Sequence, residues 1–205
     1  MKNRLLVTCF LLLSSLALWS QTAHEDVQHL ELKLANLSFD DSSAHFLDII
    51  NSRFSGFGSN LAITNIDMED TGVMLTEGYR FSKYTVLEGS LTWMGDSTVT
   101  ATTDSGTYVL SMQQYAIDMQ LAGTYPIRDW LKAYVKAGGM LWRNESDLNG
   151  PNVDQGVNKN GVDLIITGGV RARFFERLTA SLEYMSTEVD GLDLTSLNLG
   201  VGFTF

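Results

Sequence analysis

Hydrophobic and polar positions alternate with a period of two along much of the chain. In "SLNLGVGFTF" (196–205), Leu197, Leu199, Val201, Phe203 and Phe205 fall on one side of an extended segment, and Asn198, Gly200, Gly202 and Thr204 on the other. Successive side chains of a strand point to opposite faces, so this is a strand with one apolar face and one small or polar face. The same pattern runs through "VQHLELKLANL", "TGVMLTEGYRFS", "YTVLEGSLTWMG", "QQYAIDMQLAGTYPI", "WLKAYVKAGGMLWR", "VDLIITGGVRARFF" and "RLTASLEYMST", which makes eight strand candidates in all. Their connections alternate in length. "SKY" (82–84), "RD" (128–129) and the turn near Glu176 are tight, whereas 38–70, 95–112, 143–161 and 186–195 are long, polar and expected to be loops. All tight turns then lie at one end of the sheet, an arrangement typical of barrels that cross a membrane.

The two faces differ in chemistry. One carries Leu30, Leu32 and Leu34, then Leu87, Leu91 and Trp93, then Ile117, Met119, Leu121 and Tyr125, and continues through Leu131, Ala133, Val135, Leu164, Ile166, Val170, Ala180, Leu182 and Tyr184. The other carries Glu31, Lys33, Arg80, Glu88, Asp118, Gln120, Lys132, Lys136, Asp163, Arg171, Arg173 and Glu183. An eight-stranded barrel has an interior just wide enough for side chains, so either face fits inside on size alone. Aromatic residues decide it. Tyr79, Phe81, Tyr84, Trp93, Tyr125, Trp130, Phe174 and Phe203 lie near strand ends, where girdles at the membrane–water interface would form. The expected fold is therefore an all-β, closed antiparallel transmembrane barrel with its charges inside. Gly138, Gly139, Gly168 and Gly169 are expected to give curvature and room for inward neighbours such as Trp142. Glu77 breaks the pattern, because alternation turns it toward lipid beside Tyr79.

Composition sharpens this reading. "MKNRLLVTCFLLLSSLALWSQTA" has two early cations and an uncharged apolar run from Leu5 to Trp19, the layout of a secretory signal and short for a membrane helix. Residues 1–23 are thus expected to be a cleaved signal and 24–205 a single barrel domain. Cys9, the sole cysteine, falls near the start of that run, so the exported part would form no disulfide. A formal net charge of −10 argues against a nucleic-acid partner.

Two loop features have candidate chemistry. "DDSSAHFLD" brings Ser42, Ser43, His45 and Asp48 together, the residue types of acyl transfer, but adjacency in sequence does not supply the geometry that a nucleophile and its base require. Asp147, Asn149, Asn152 and Asp154 are oxygen donors of the calcium-binding kind, yet their spacing misses the EF-hand pattern and reads as turn chemistry. No metal and no cofactor is expected.

The stretches "GTYPIRDWLKAYVKAGGMLWRNESD" (123–147), "GYRFSKYTVLEGSLTWMGD" (78–96) and "TGGVRARFFERLTASLEYMST" (167–187) resemble strands of the transmembrane domain of the outer membrane protein A family, and the likeness covers most of residues 72 to 205. The resemblance implies a barrel of the bacterial outer membrane, in contact with its lipid and lipopolysaccharide and inserted by the barrel-assembly machinery, for which Phe205 matches the terminal aromatic assembly signal. It also implies an interior cluster of acids and bases at Glu88, Lys136, Arg171 and Glu183. Another of the family's lysines falls near Ala122 here, so the network is expected to be rebuilt with Arg173 or Arg80. Wall anchoring is not expected, because the chain stops where the family's periplasmic domain would start. The leading functional expectation is a structural, non-enzymatic barrel whose external loops support envelope integrity or meet an extracellular ligand. A small low-conductance pore and a lipid-modifying enzyme are the alternatives.

Overall fold

The computed structural model describes residues 28–39, 62–68, 71–103, 106–151 and 153–205. The expected signal segment, Cys9, the Ser42, Ser43, His45 and Asp48 group, and Asn152 lie outside the described residues. The described residues form nine strands: β1 Gln28–Phe39, β2 Ala62–Met68, β3 Thr71–Ser82, β4 Thr85–Thr103, β5 Gly106–Arg128, β6 Leu131–Gly150, β7 Val153–Phe174, β8 Leu178–Val189 and β9 Leu192–Thr204. Neighbouring strands pair antiparallel throughout the described residues. β1 pairs with both β3 and β9, which closes the sheet; β2 pairs with the far part of β4 alone and continues the line of β3, so eight strands make the ring. Closure removes the unpaired edges that neither lipid nor water-free surroundings could satisfy.

The faces are those read from the alternation. Leu32, Leu34, Leu121, Val135, Leu164, Leu199 and Val201 are exposed on the outside, while Glu31, Lys33, Glu88, Asp118, Lys136 and Glu183 are buried inside. Exposed Phe81, Tyr84, Tyr125, Trp130, Phe174, Phe203 and Phe205 ring the end with the tight turns; Trp93, Tyr115 and Tyr184 mark the upper limit of the apolar surface. Along β9, from Leu197 to Phe205, this surface is on the order of 20 Å tall for strands tilted by about 40°. Glu77 shares the outer face with Leu75 and Tyr79 and stands opposite Leu30 and Gly89 on its neighbouring strands, which is the lipid-side position that alternation gave it.

Three of the long connections expected to be loops are corrected. The described residues of 95–112 and 143–161 belong to the far ends of β4 through β7, paired from Asp96↔Gln113 to Thr103↔Gly106 and from Arg143↔Asn160 to Gly150↔Val153. Residues 186–195 contain a two-residue hairpin turn, Asp190–Gly191, in which both residues have positive φ, 61° and 84°. That is the geometry an Asp-Gly pair favours, because its twist matches that of the strands. The polarity of these extensions is opposite to that of the lower barrel. Val99, Ala101, Tyr108, Leu110, Met112, Leu148 and Leu192 form an apolar cluster inside, and Thr98, Thr100, Thr102, Ser111, Gln113, Glu145 and Asp147 face outward. A bulge at Trp93–Asp96, with Gly95 at φ 83°, shifts β4 by one residue where the two regimes meet.

The lumen charge ring

The interior is stacked in layers. The layer nearest the tight turns, fed by inward positions of β1, β4, β6, β7 and β8, holds a closed circuit of alternating charges. Lys136 Nζ lies 2.8 Å from Glu88 Oε2 and 2.8 Å from Glu183 Oε1. Lys33 Nζ lies 2.8 Å from both Glu183 oxygens and 3.7 Å from Glu31 Oε2. Arg171 Nη2 completes the ring, 3.0 Å from Glu31 Oε2 and 3.1 Å from Glu88 Oε1. Three cations and three carboxylates thus alternate, each between two of opposite sign.

Supporting groups fix this circuit. The Tyr134 hydroxyl donates to Glu183 Oε1 at 2.7 Å, and the Tyr134 ring lies under Lys136 and Arg171, 5.3 Å and 5.1 Å from its centroid. The Ser181 hydroxyl donates to Glu31 Oε1. His29 Nε2 stands 3.1 Å from Glu88 Oε1. Room for these side chains is left by glycines: a Cβ on Gly169 would meet the Tyr134 ring, and one on Gly200 would meet Glu31 and Ser181. Taking an ion out of water costs several kcal/mol, so ions persist in a narrow lumen only when each has partners at contact distance. The alternating circuit supplies them.

Directly above, Asp118 Oδ1 accepts from Gln120 at 2.8 Å and Gln120 in turn accepts from Thr167 at 3.0 Å. Higher still the lumen turns apolar. Leu37, Met74, Met94, Met140, Trp142, Ile165, Met185 and Leu194 pack together across it, and the cluster of the strand extensions continues the fill. The Trp142 indole N–H donates to Asp163, and its ring is accommodated by Gly161, not by the expected Gly138 and Gly139. Over the plug, Asp190 accepts from Asn144 at 3.1 Å and pairs with Lys159 at 2.7 Å, tying the β8–β9 turn to the extensions of β6 and β7.

Of the residues expected to form the cluster, Glu88, Lys136, Arg171 and Glu183 come together. Arg173 is exposed at the tight-turn rim, where its guanidinium donates to the Asp129 carbonyl at 3.3 Å, and Arg80 lines the space beneath the ring. The further cation of the circuit is instead Lys33 of β1, with Glu31 as the further acid. Their alternation inside the first strand was visible in the sequence, but which cation would reach Glu183 depends on the ring closing β1 against β9. Phe205 pairs with Gln28, its N–H 2.9 Å from the Gln28 carbonyl, at the seam where the barrel closes. Asp147, Asn149 and Asp154 face outward on β6 and β7, and among the described residues no group of three or more His, Cys, Asp or Glu side chains is placed to hold a metal.

Comparison with known proteins agrees with this architecture. The family model for the outer membrane protein beta-barrel domain matches residues 7–205. Outer membrane protein A of Klebsiella pneumoniae is 27% identical over 161 residues, 74% of this chain and 45% of that protein. The protein of the same name from Escherichia coli O157:H7 is 27% identical over 161 residues, 74% of this chain and 43% of its own length. The chain therefore spans less than half the length of these relatives. Similar solved structures include Neisserial surface protein A, with a TM-score of 0.57, 14% identity and coverage of 87% of this chain and 97% of that one. The N-terminal barrel domain of Pseudomonas aeruginosa OprF has a TM-score of 0.52 at 13% identity, covering 86% and 97%. Ail of Yersinia pestis has a TM-score of 0.50 at 13% identity, covering 87% and 97%. The chain belongs to the outer membrane protein β-barrel family and is an OmpA-like barrel of the bacterial outer membrane.

Proposed function

We propose that the protein is a structural, non-enzymatic barrel that keeps its lumen shut and presents a stiff strand extension to the exterior, serving envelope integrity or contact with an extracellular ligand. One observation carries this reading: the charge ring is capped by two successive apolar clusters, so ions entering from the tight-turn end meet first a neutralised layer and then a dry one. A hydrophobic constriction of that depth opposes ion passage by excluding water. The polar outer face of β4 through β7 above the aromatic belt is the surface available to a partner. Ail, which shares the fold, has a structure in complex with the heparin analogue sucrose octasulfate. Insertion by the barrel-assembly machinery, with Phe205 as its signal, belongs to the same proposal.

Planar-bilayer recording of the folded protein tests it. The expected result is a silent membrane at voltages where porins conduct. Discrete, reproducible openings would replace this reading with that of a low-conductance pore, and product formed from labelled lipid A or phospholipid would replace it with that of an enzyme.

A further inference from the structure

Beneath the charge ring, the tight-turn end of the lumen opens into a vestibule with a solvent-accessible volume of about 40 Å³, room for about three waters. Its walls are basic although the chain as a whole is acidic. Arg80, Lys132 and Arg173 line it, each already engaged in polar contacts, against a single carboxylate, Asp129, among the described lining residues. The ring above is internally neutral, so it does not cancel this surplus.

Three further lining groups have a buried polar atom with no hydrogen-bond partner: His29 Nε2, which stands 3.1 Å from Glu88 Oε1, and Arg171 Nε and Thr179 Oγ1. Arg171 spends its Nη2 on Glu31 and Glu88, which leaves the Nε–H as a fixed donor. Thr179 is 3% exposed, so bulk water does not readily serve its hydroxyl. A buried donor without an acceptor forfeits the hydrogen bonds that it made to water in the unfolded chain. An acceptor held between Arg171 and Thr179 would recover that loss, and an anionic acceptor would gain from the surrounding cations as well.

We propose that this vestibule binds one small soluble oxyanion, a phosphate or carboxylate group, entering from the periplasmic side. The volume limits the occupant to a group of that size, and the ring stops it from passing further. This goes beyond the structural role, because a silent barrel can bind an anion and a conducting one can fail to.

NMR titration of the ¹⁵N-labelled, refolded barrel with inorganic phosphate, acetate and, at matched ionic strength, chloride tests the proposal. Saturable shifts are expected for the Thr179, Arg171 and Lys132 amides with phosphate and acetate and not with chloride. Lys132→Gln should weaken phosphate binding about tenfold, and Thr179→Val by a similar or smaller factor. Unheated gel mobility confirms that both variants are folded. Shifts that rise linearly and equally with chloride would overturn the site, as would parental affinity in both folded variants. A response to phosphatidylglycerol in bicelles with none to phosphate would overturn it too, assigning the anion to a lipid headgroup.

Discussion

On β9, Asn198 and Gly200 face the lumen while Leu197, Leu199 and Val201 face out; a few residues earlier, Leu192 and Leu194 face in while Asp193 and Thr195 face out. The strand does not bend into a new fold between these stretches, and the parity of its side chains is unchanged. Only the solvent outside differs. Where hydrocarbon surrounds the barrel, apolar side chains gain from facing outward and ions inside persist by pairing, with Met140, Ile165 and Met185 filling the lumen above them; where water surrounds it, burial inside is worth about 1.5–3 kcal/mol per large apolar side chain and the usual order returns. The lower half is therefore held by the charge ring and the lipid, and the upper half by a small core of soluble type.

The ring should be the most sensitive point. Glu183→Gln removes a charge shared by Lys33 and Lys136, and the folded barrel is expected to lose about 3–5 kcal/mol in urea titrations followed by gel mobility. A loss no greater than that of a surface substitution would show that the circuit contributes little. Next comes a pair of substitutions on one strand. Leu199→Arg should cost about 2–4 kcal/mol in bilayers, whereas Thr195→Arg should cost about 0–1 kcal/mol. Equal costs would break the boundary between the halves.

Leu110→Ala, in the upper core, should cost about 2–3 kcal/mol and speed amide exchange in the β4–β5 hairpin while leaving the ring layer protected. Exchange accelerating equally in both layers would mean that they are not separate regions. Thr100→Lys, on the outer face of the extension, should stay within about 0.5 kcal/mol of the parent.

The lower half was legible in the sequence because each strand there combines a period of two with sharply different faces. The seating of Leu30, Leu87, Ile117 and Leu182 outside and of Glu31, Glu88 and Glu183 inside follows from alternation alone. The upper half was misread for a physical reason. Its outward residues are mostly polar, such as Thr98, Thr100, Ser111, Gln113 and Asp147, its inward ones include small ones, such as Ala101 and Ser97, and that mixture looks like loop composition. Two signals were nonetheless present: the Asp190–Gly191 pair flanked by Val189 and Leu192, and the alternation of Tyr108, Leu110 and Met112. Within the ring, the inward direction of Lys33 could be read, but its partner could not, because Lys33 and Glu183 are brought together by closure across distant strands. The position of Arg173 at the rim likewise depends on where β7 ends.

Site-directed spin labelling along β9 in lipid bilayers tests the central claim most directly. Single labels at Asp193, Thr195, Leu197, Leu199 and Val201 would be compared for collision with oxygen, which concentrates in hydrocarbon, and with a water-soluble nickel chelate. The chelate is expected to dominate at positions 193 and 195 and oxygen at 197, 199 and 201. Chelate access that stays high through Leu199 and Val201 would contradict it, since water and not lipid would then surround the apolar face.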